Sequence, residues 1–281
     1  MKNRKEEVIG LINSVQNILN KVLDIVDVES ESTELNVENS KLDIEKTFQS
    51  FIESESNKLA RMAGLSIAEH PEESSFNPLY VYGPSGCGKS HLINAIGVRY
   101  KEIHPQKQVL YVTARQFQME FTDSVRQNTT KDFINCYQLI DMLIVDDIQE
   151  WMNAPKTLET FFHVFNNLLR NGKQIILGCD RPPFDLQGME ERLLKRFACG
   201  LIVELEKPDM QLCKDILNAK CHQSGMIIPS EVIEFIANTI NGSVYDLEGV
   251  MNSLKVYSTV KNSNIDMDIA KRVIMHYVKL N

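Results

Sequence analysis

The sequence predicts an α/β fold, a parallel five-stranded sheet flanked by helices and followed by a small all-helical domain. Five short β-prone runs, Leu79–Tyr82, Gln108–Thr113, Met142–Val145, Gln174–Leu177 and Gly200–Leu205, alternate with longer segments of helical patterning. Strand and helix alternate in this way where helices cross over between parallel strands. Beyond Pro208 the strand signals stop, and four helix-like stretches follow around 209–223, 230–241, 244–260 and 266–278. A glycine-rich loop joins the first β-prone run to the next helical segment. The length, 281 residues, is enough for one large core and a smaller one.

Taken in order, the chain opens with an amphipathic helix over 1–26. Val8, Ile12, Val15, Leu19, Val22 and Val26 recur at spacings of four and three, and Leu11, Ile18 and Ile25 widen the stripe. The stripe is short for a coiled coil, and docking on its own chain stands equally open. Residues 27–45 lose the periodicity in favour of Glu, Ser, Asn and Thr and read as a solvated acidic linker. A nucleotide-binding domain is expected over 46–207. It begins with helical character from Ser54 to His70 that Pro71 ends. The helical stretches then form a lid domain over 208–281.

Composition excludes several classes. Hydrophobic residues make up 43% and charged residues 24%, ordinary for a globular chain. No apolar run approaches the ~20 residues of a membrane span. The basic start, Met1 to Lys5, precedes an apolar stretch broken by Asn13, Ser14, Gln16, Asn17 and Asn20, unlike a signal peptide. Six cysteines are scattered without a CxxC pair, which points to reduced thiols in the cytoplasm rather than a zinc site. The formal charge of -8 opposes non-specific attraction to phosphate backbones.

The segment Gly83-Pro84-Ser85-Gly86-Cys87-Gly88-Lys89-Ser90 satisfies the P-loop pattern GxxxxGK[ST] in its proper context between strand and helix. Its glycines let the backbone N–H groups of Ser85, Gly86, Cys87 and Gly88 converge on phosphate oxygens at a helix N-terminus. Lys89 is expected to neutralise the β- and γ-phosphates and Ser90 to ligate Mg²⁺, so ATP/ADP with Mg²⁺ are the expected cofactors. A second acid must orient the waters that Mg²⁺ retains. Met142-Leu143-Ile144-Val145-Asp146-Asp147 supplies it, with Asp146 holding the hydrated metal and Asp147 orienting the attacking water. By itself an acid pair after an apolar strand is as often a helix cap; the P-loop gives it weight.

From about Lys46 onward the chain resembles the AAA+ module of the DnaA family, the bacterial chromosomal replication initiators. The matching segments are Phe48-Gln49-Ser50-Phe51-Ile52-Glu53 with Asn57, Phe76-Asn77-Pro78-Leu79, the P-loop with His91, and Asp146-Asp147-Ile148-Gln149. They continue with Phe161-Phe162-His163, Asp180-Arg181-Pro182-Pro183, Glu191-Arg192-Leu193 with Arg196-Phe197, and Asp246-Leu247-Glu248-Gly249. The resemblance implies that Phe48–Asn57, Ile52 included, lies beside the adenine and that Asp180 senses the γ-phosphate. It also implies that Arg196 is an arginine finger reaching the ATP of an adjacent protomer, in self-assembly or in assembly with the DnaA initiator. The region 115–137 resembles the family's helical insert, for which the resemblance implies single-stranded DNA as partner. Read on their own, Arg115, Arg126, Lys131 and nearby Lys156, set among acidic neighbours, make a solvated charged face.

Three departures shape the functional expectation. The family's helix-turn-helix domain would begin where the chain stops at Asn281, so no origin-box duplex recognition is expected. Its folded N-terminal domain has no room ahead of Lys46. Tyr245 stands where the family carries a lid arginine, and a phenol cannot supply that fixed charge. The expected function is therefore an ATP-binding DnaA-like AAA+ protein with slow hydrolysis. It would act in replication initiation or, like the Hda-type proteins, in its regulation through nucleotide-dependent assembly. An ATP-dependent remodeller of single-stranded DNA or helicase loader of DnaC type is the alternative, and a piece of a longer initiator is a third reading. Trp151 is read as a core anchor and His163 as a helix-packing imidazole.

Overall fold

Each β-prone run becomes a strand. In the computed structural model, which describes residues 40–72, 76–240, 242–261 and 265–277, the strands are β1 (Leu79–Tyr82), β2 (Val109–Thr113), β3 (Met142–Asp146), β4 (Gln174–Cys179) and β5 (Leu201–Glu204). They form one parallel sheet in the order β2-β3-β4-β1-β5. Every residue of β3 and β4 is buried, which is why both read as unbroken apolar runs rather than alternating ones. The expected 1–26 helix and most of the acidic linker lie outside the described residues.

The helices are α1 (Lys58–Glu69), α2 (Lys89–Ile103), α3 (Ala114–Arg126), α4 (Thr130–Gln138), α5 (Pro155–Arg170), α6 (Glu191–Phe197), α7 (Met210–Ser224), α8 (Ser230–Thr239), α9 (Val244–Lys261) and α10 (Met267–Ile274). One sheet face, carrying Tyr80, Val112, Leu143, Val145, Ile175 and Leu177, packs on Phe161, Phe165 and Leu168 of α5 and Phe197 of α6. Strand alternation turns Leu79, Val81, Ile144 and Ile176 to the opposite face, and all four are fully buried. A capping box starts α3, in which the Thr113 hydroxyl accepts from Gln116 N–H and the Gln116 side chain accepts from Thr113 N–H. Trp151 is fully buried and donates from Nε1 to the Ala114 carbonyl at 2.7 Å, so it is the core anchor the sequence indicated. His163, by contrast, is exposed on α5. Its neighbours Phe161, Val164 and Phe165 take the inward positions of the helical stripe, which leaves the imidazole outside.

Helices α7 to α10 surround an apolar core of their own, including Leu217, Val232, Ile236, Leu247, Leu254 and Val273. Asp209 and Asp266 cap α7 and α10 by accepting from Leu212 and Ile269 N–H at 2.7 and 2.8 Å. At the other end of the fold, Asn94 on α2 holds the segment that precedes Lys46. Its Oδ1 accepts from Asp43 N–H at 2.9 Å, and its Nδ2 donates to the Asp43 and Lys46 carbonyls at 2.7 and 2.9 Å. These bonds tie Asp43 and Lys46 to α2. The bonds use backbone atoms, which composition does not reveal.

Candidate functional site

The turn from β1 into α2 builds the centre of the site. Gly86 and Gly88 take φ of +79° and +100°, a region that L side chains rarely enter. Gly88 precedes α2 with no side-chain cap, so the first N–H groups of that helix have no intrahelical partner. Lys89 is buried and folds back over the loop, Nζ donating to the Gly83 and Pro84 carbonyls at 2.8 and 2.9 Å. Within the loop Ser85 is exposed, Gly86 and Cys87 are buried and Ser90 is half-buried. Burial pushes the Cys87 thiol up, away from the reactive thiolate.

Asp146, at the end of β3, is 1% exposed. Burial pushes its carboxyl above the usual carboxylate range, while bonds from Ser90 and Tyr111 oppose that shift. Its Oδ1 accepts from Asp147 N–H at 2.9 Å and its Oδ2 from the Tyr111 hydroxyl at 2.8 Å. Asp147 adopts φ +57° and opens the short 3₁₀ turn Ile148–Trp151. Gln149 then ties two strand ends together. Its Nε2 donates to Asp147 Oδ1 at 2.9 Å, and its Oε1 accepts from Asp180 N–H at 3.3 Å. Asp180 follows β4 and pairs with Arg181 through two bonds of 2.7 and 2.8 Å. That guanidinium holds the Asp180 carboxyl below its ordinary value, and Lys89 adds to the effect. An open cavity of about 470 Å³ lies beside this pair, lined by Asp180, Arg181, Phe184, Asp185 and Gln187.

Two further segments close on the loop. Phe51 would touch any Cβ at Gly88 and meets the His91 ring edge-on at 5.4 Å. His91 Nε2 lies 3.0 Å from the Thr47 carbonyl and 3.2 Å from Ser50 Oγ; burial lowers its imidazole pKa. Ile52 is half-buried, and its carbonyl accepts from Asn57 Nδ2 at 2.9 Å. From the C-terminal helices, Val244 N–H donates to the Gly86 carbonyl at 2.9 Å. Tyr245, one residue on, is 60% exposed. The turn after β1 and the C-terminal helices are thus joined by a backbone bond that spacing along the chain did not announce.

Lys89, Ser90, Asp146, Asp147 and Asp180 therefore gather at the C-terminal edge of β1, β3 and β4, where ligands bind in open α/β sheets. Arg196 stands apart: it is exposed on α6 and forms no ion pair among the described residues. In the insert, Arg115 and Lys131 are exposed, while Arg126 pairs with Asp123 at 3.3 Å. Among the described residues no group of three or more His, Cys, Asp or Glu side chains forms a metal cage. One buried acid and one hydroxyl suit a cation that keeps its waters and leans on phosphate, as Mg²⁺ does. No helix among the described residues is long and apolar enough to cross a membrane.

Residues 42–204 match the family model described as the bacterial DnaA ATPase domain. The chromosomal replication initiator protein DnaA of Bacteroides fragilis is 55% identical over 232 residues, 83% of this chain and 49% of that protein. Domain III of the Thermotoga maritima DnaA superposes with a TM-score of 0.81 at 31% identity, covering 85% of this chain and 99% of that one. A replication initiator DnaA bound to AMPPCP and single-stranded DNA gives a TM-score of 0.71 at 30% identity, over 79% of this chain and 69% of that one. The chain spans about half the length of the curated relatives it matches. With the family model covering most of its length and the fold shared, the chain belongs to the bacterial DnaA family and carries its AAA+ ATPase domain.

Proposed function

We propose that this chain is a nucleotide-gated assembly protein of bacterial replication initiation in the cytoplasm, binding ATP or ADP with Mg²⁺ at the P-loop. The observation that carries this reading is the bond from Val244 to Gly86, because it makes the loop that would hold phosphate also the seat of the lid. Ser85 to Gly88 provide the phosphate cradle, Lys89 the fixed charge, Ser90 and Asp146 the metal contacts, and Ile52 with His91 the flank of the base. When bound, Mg²⁺ would neutralise phosphate charge. Asp147, anchored through Gln149, is assigned the orientation of water, and Asp180 the reading of the terminal phosphate. We assign single-stranded DNA, a ligand of one solved DnaA relative, to the α3–α4 insert.

Arg196 is the residue we assign to the neighbouring subunit's nucleotide, since it is presented on α6 without an ion pair among the described residues. Sedimentation of the full chain tests this. ATP should produce a faster species than ADP, and Arg196→Ala should stay slow in ATP while binding it with wild-type affinity. An identical sedimentation coefficient for the wild type in both nucleotides would overturn assembly gating.

Tyr245 sets the expected rate. It stands at the start of α9 immediately after the residue that contacts the loop, and its phenol carries no charge to place against a triphosphate. Tyr245→Arg is expected to raise steady-state ATP turnover roughly tenfold or more, the scale on which a single contact to developing charge acts. Turnover equal to wild type would show that this position does not limit hydrolysis.

A further inference from the structure

The strand register singles out a residue on β2 that none of the motif matches contains. Thr113 pairs with Asp146 and Tyr111 with Ile144 across β2 and β3. Because strand side chains alternate, Tyr111, Thr113 and Asp146 project from the same face of the sheet. The next position along β4 on that face is Gly178, where an added Cβ would collide with Asp146 Oδ1. The Asp146 carboxylate thus sits between a tyrosine on one side and an absent side chain on the other.

A carboxylate this enclosed keeps one orientation only when each of its oxygens is held. Oδ1 takes the N–H of its own neighbour, Asp147, at 2.9 Å, and Oδ2 takes the Tyr111 hydroxyl at 2.8 Å. The Ser90 hydroxyl interacts with the same pair. Tyr111 is half-buried, and Val109, its neighbour on the same face of β2, is buried and plainly apolar. A phenylalanine would fill that space equally well, so the hydroxyl is the atom that needs a reason.

We propose that Tyr111 is a positioning residue for the metal: its hydroxyl sets the plane of the Asp146 carboxylate, and with it the direction from which Asp146 meets the hydrated Mg²⁺ of a bound nucleotide. This rests on assigning the P-loop as an ATP–Mg²⁺ site. Tyr111 acts through Asp146 and shares that carboxylate with Ser90, so one tyrosine hydroxyl links the two residues assigned to the cation. Hydrogen-bond partners of metal ligands govern affinity in this way, their loss costing roughly 10–100-fold.

The test is a Mg²⁺ titration of fluorescent ATP-analogue binding to the full chain, read by anisotropy, alongside melting of the nucleotide-free protein. In Tyr111→Phe the Mg²⁺ concentration at half-maximal binding should rise roughly tenfold, with analogue affinity in EDTA unchanged and the melting temperature lowered, because the buried Asp146 Oδ2 loses its hydrogen-bond partner. Asp146→Asn should lose the Mg²⁺ response, and adding Tyr111→Phe to it should change nothing more, the signature of two residues acting as one unit. A Tyr111→Phe protein that titrates with Mg²⁺ as the wild type does, whether or not it melts lower, overturns the proposal and leaves the ATP site standing. So does a further loss in the double variant. A wild-type chain that binds the analogue without any response to Mg²⁺ overturns the metal assignment together with the role of Tyr111.

Discussion

Lys89→Ala is expected to weaken ATP binding by about 100-fold or more, which corresponds to roughly 2.8 kcal/mol at about 1.4 kcal/mol per factor of ten. The lysine is the one cation lodged inside the loop, buried at 8% exposure with its ammonium on the Gly83 and Pro84 carbonyls. A triphosphate entering this turn meets backbone N–H dipoles and that single full charge, in a position where water screens it poorly. Lys89→Arg is expected to fail as well. The planar guanidinium is bulkier and cannot occupy the same two-carbonyl seat as a compact ammonium. Equilibrium binding of a labelled ATP analogue measures both variants. Affinity for Lys89→Ala within a few-fold of wild type would remove the P-loop from the binding account. The variant should stay folded, because water can enter the space the side chain leaves and bond the Gly83 and Pro84 carbonyls it releases.

The largest effect on stability is expected at Trp151, where replacement by alanine should cost about 3–5 kcal/mol. The indole is fully buried and packs at a tilt against Phe161 at 4.6 Å and edge-on against Phe117 at 5.2 Å. Truncation opens a cavity that rigid aromatic neighbours cannot close, and it strands the Ala114 carbonyl to which Nε1 donates at 2.7 Å. Ala114 begins α3, so the loss also loosens the root of the insert. Trp151→Phe should cost less, since most of the volume returns and only the hydrogen bond and part of the packing are lost. Urea unfolding followed by circular dichroism gives the comparison; Trp151 is the single tryptophan, so fluorescence reports only on the wild type. A midpoint for Trp151→Ala equal to wild type would mean that the aromatic cluster is not the core it is taken to be.

These two residues also mark how far the chain could be read before it folded. Lys89 could be singled out as a candidate because the pattern of a phosphate cradle is written in consecutive residues and lies within eight letters. Trp151 was legible as a core residue from its size and setting, whereas the indole bond to Ala114 was not, since it joins positions 37 residues apart. Strand positions came through well for a similar local reason. Runs such as Met142–Val145 are apolar throughout because both sheet faces are covered. His163 was misplaced, because an imidazole beside two phenylalanines gives no sign of which side of the helix it occupies. The clamp by Asn94 on Asp43 was equally hidden, since it joins positions 51 residues apart.

By itself, then, the sequence determined the class of fold, the glycine-rich turn after β1 and the acid pair after β3, and the family to which they belong. Each of those is carried by contiguous residues or by a period repeated along the chain. Tertiary structure decided everything that depends on which distant atoms meet. Strand register brought Tyr111 to Asp146 and left Gly178 as the space beside it. The path of the chain after β5 delivered Val244 to the Gly86 carbonyl, 158 residues away by number. Hydrogen bonds form by distance and angle in space, and neither is written in the linear order of side chains until the sheet has fixed them.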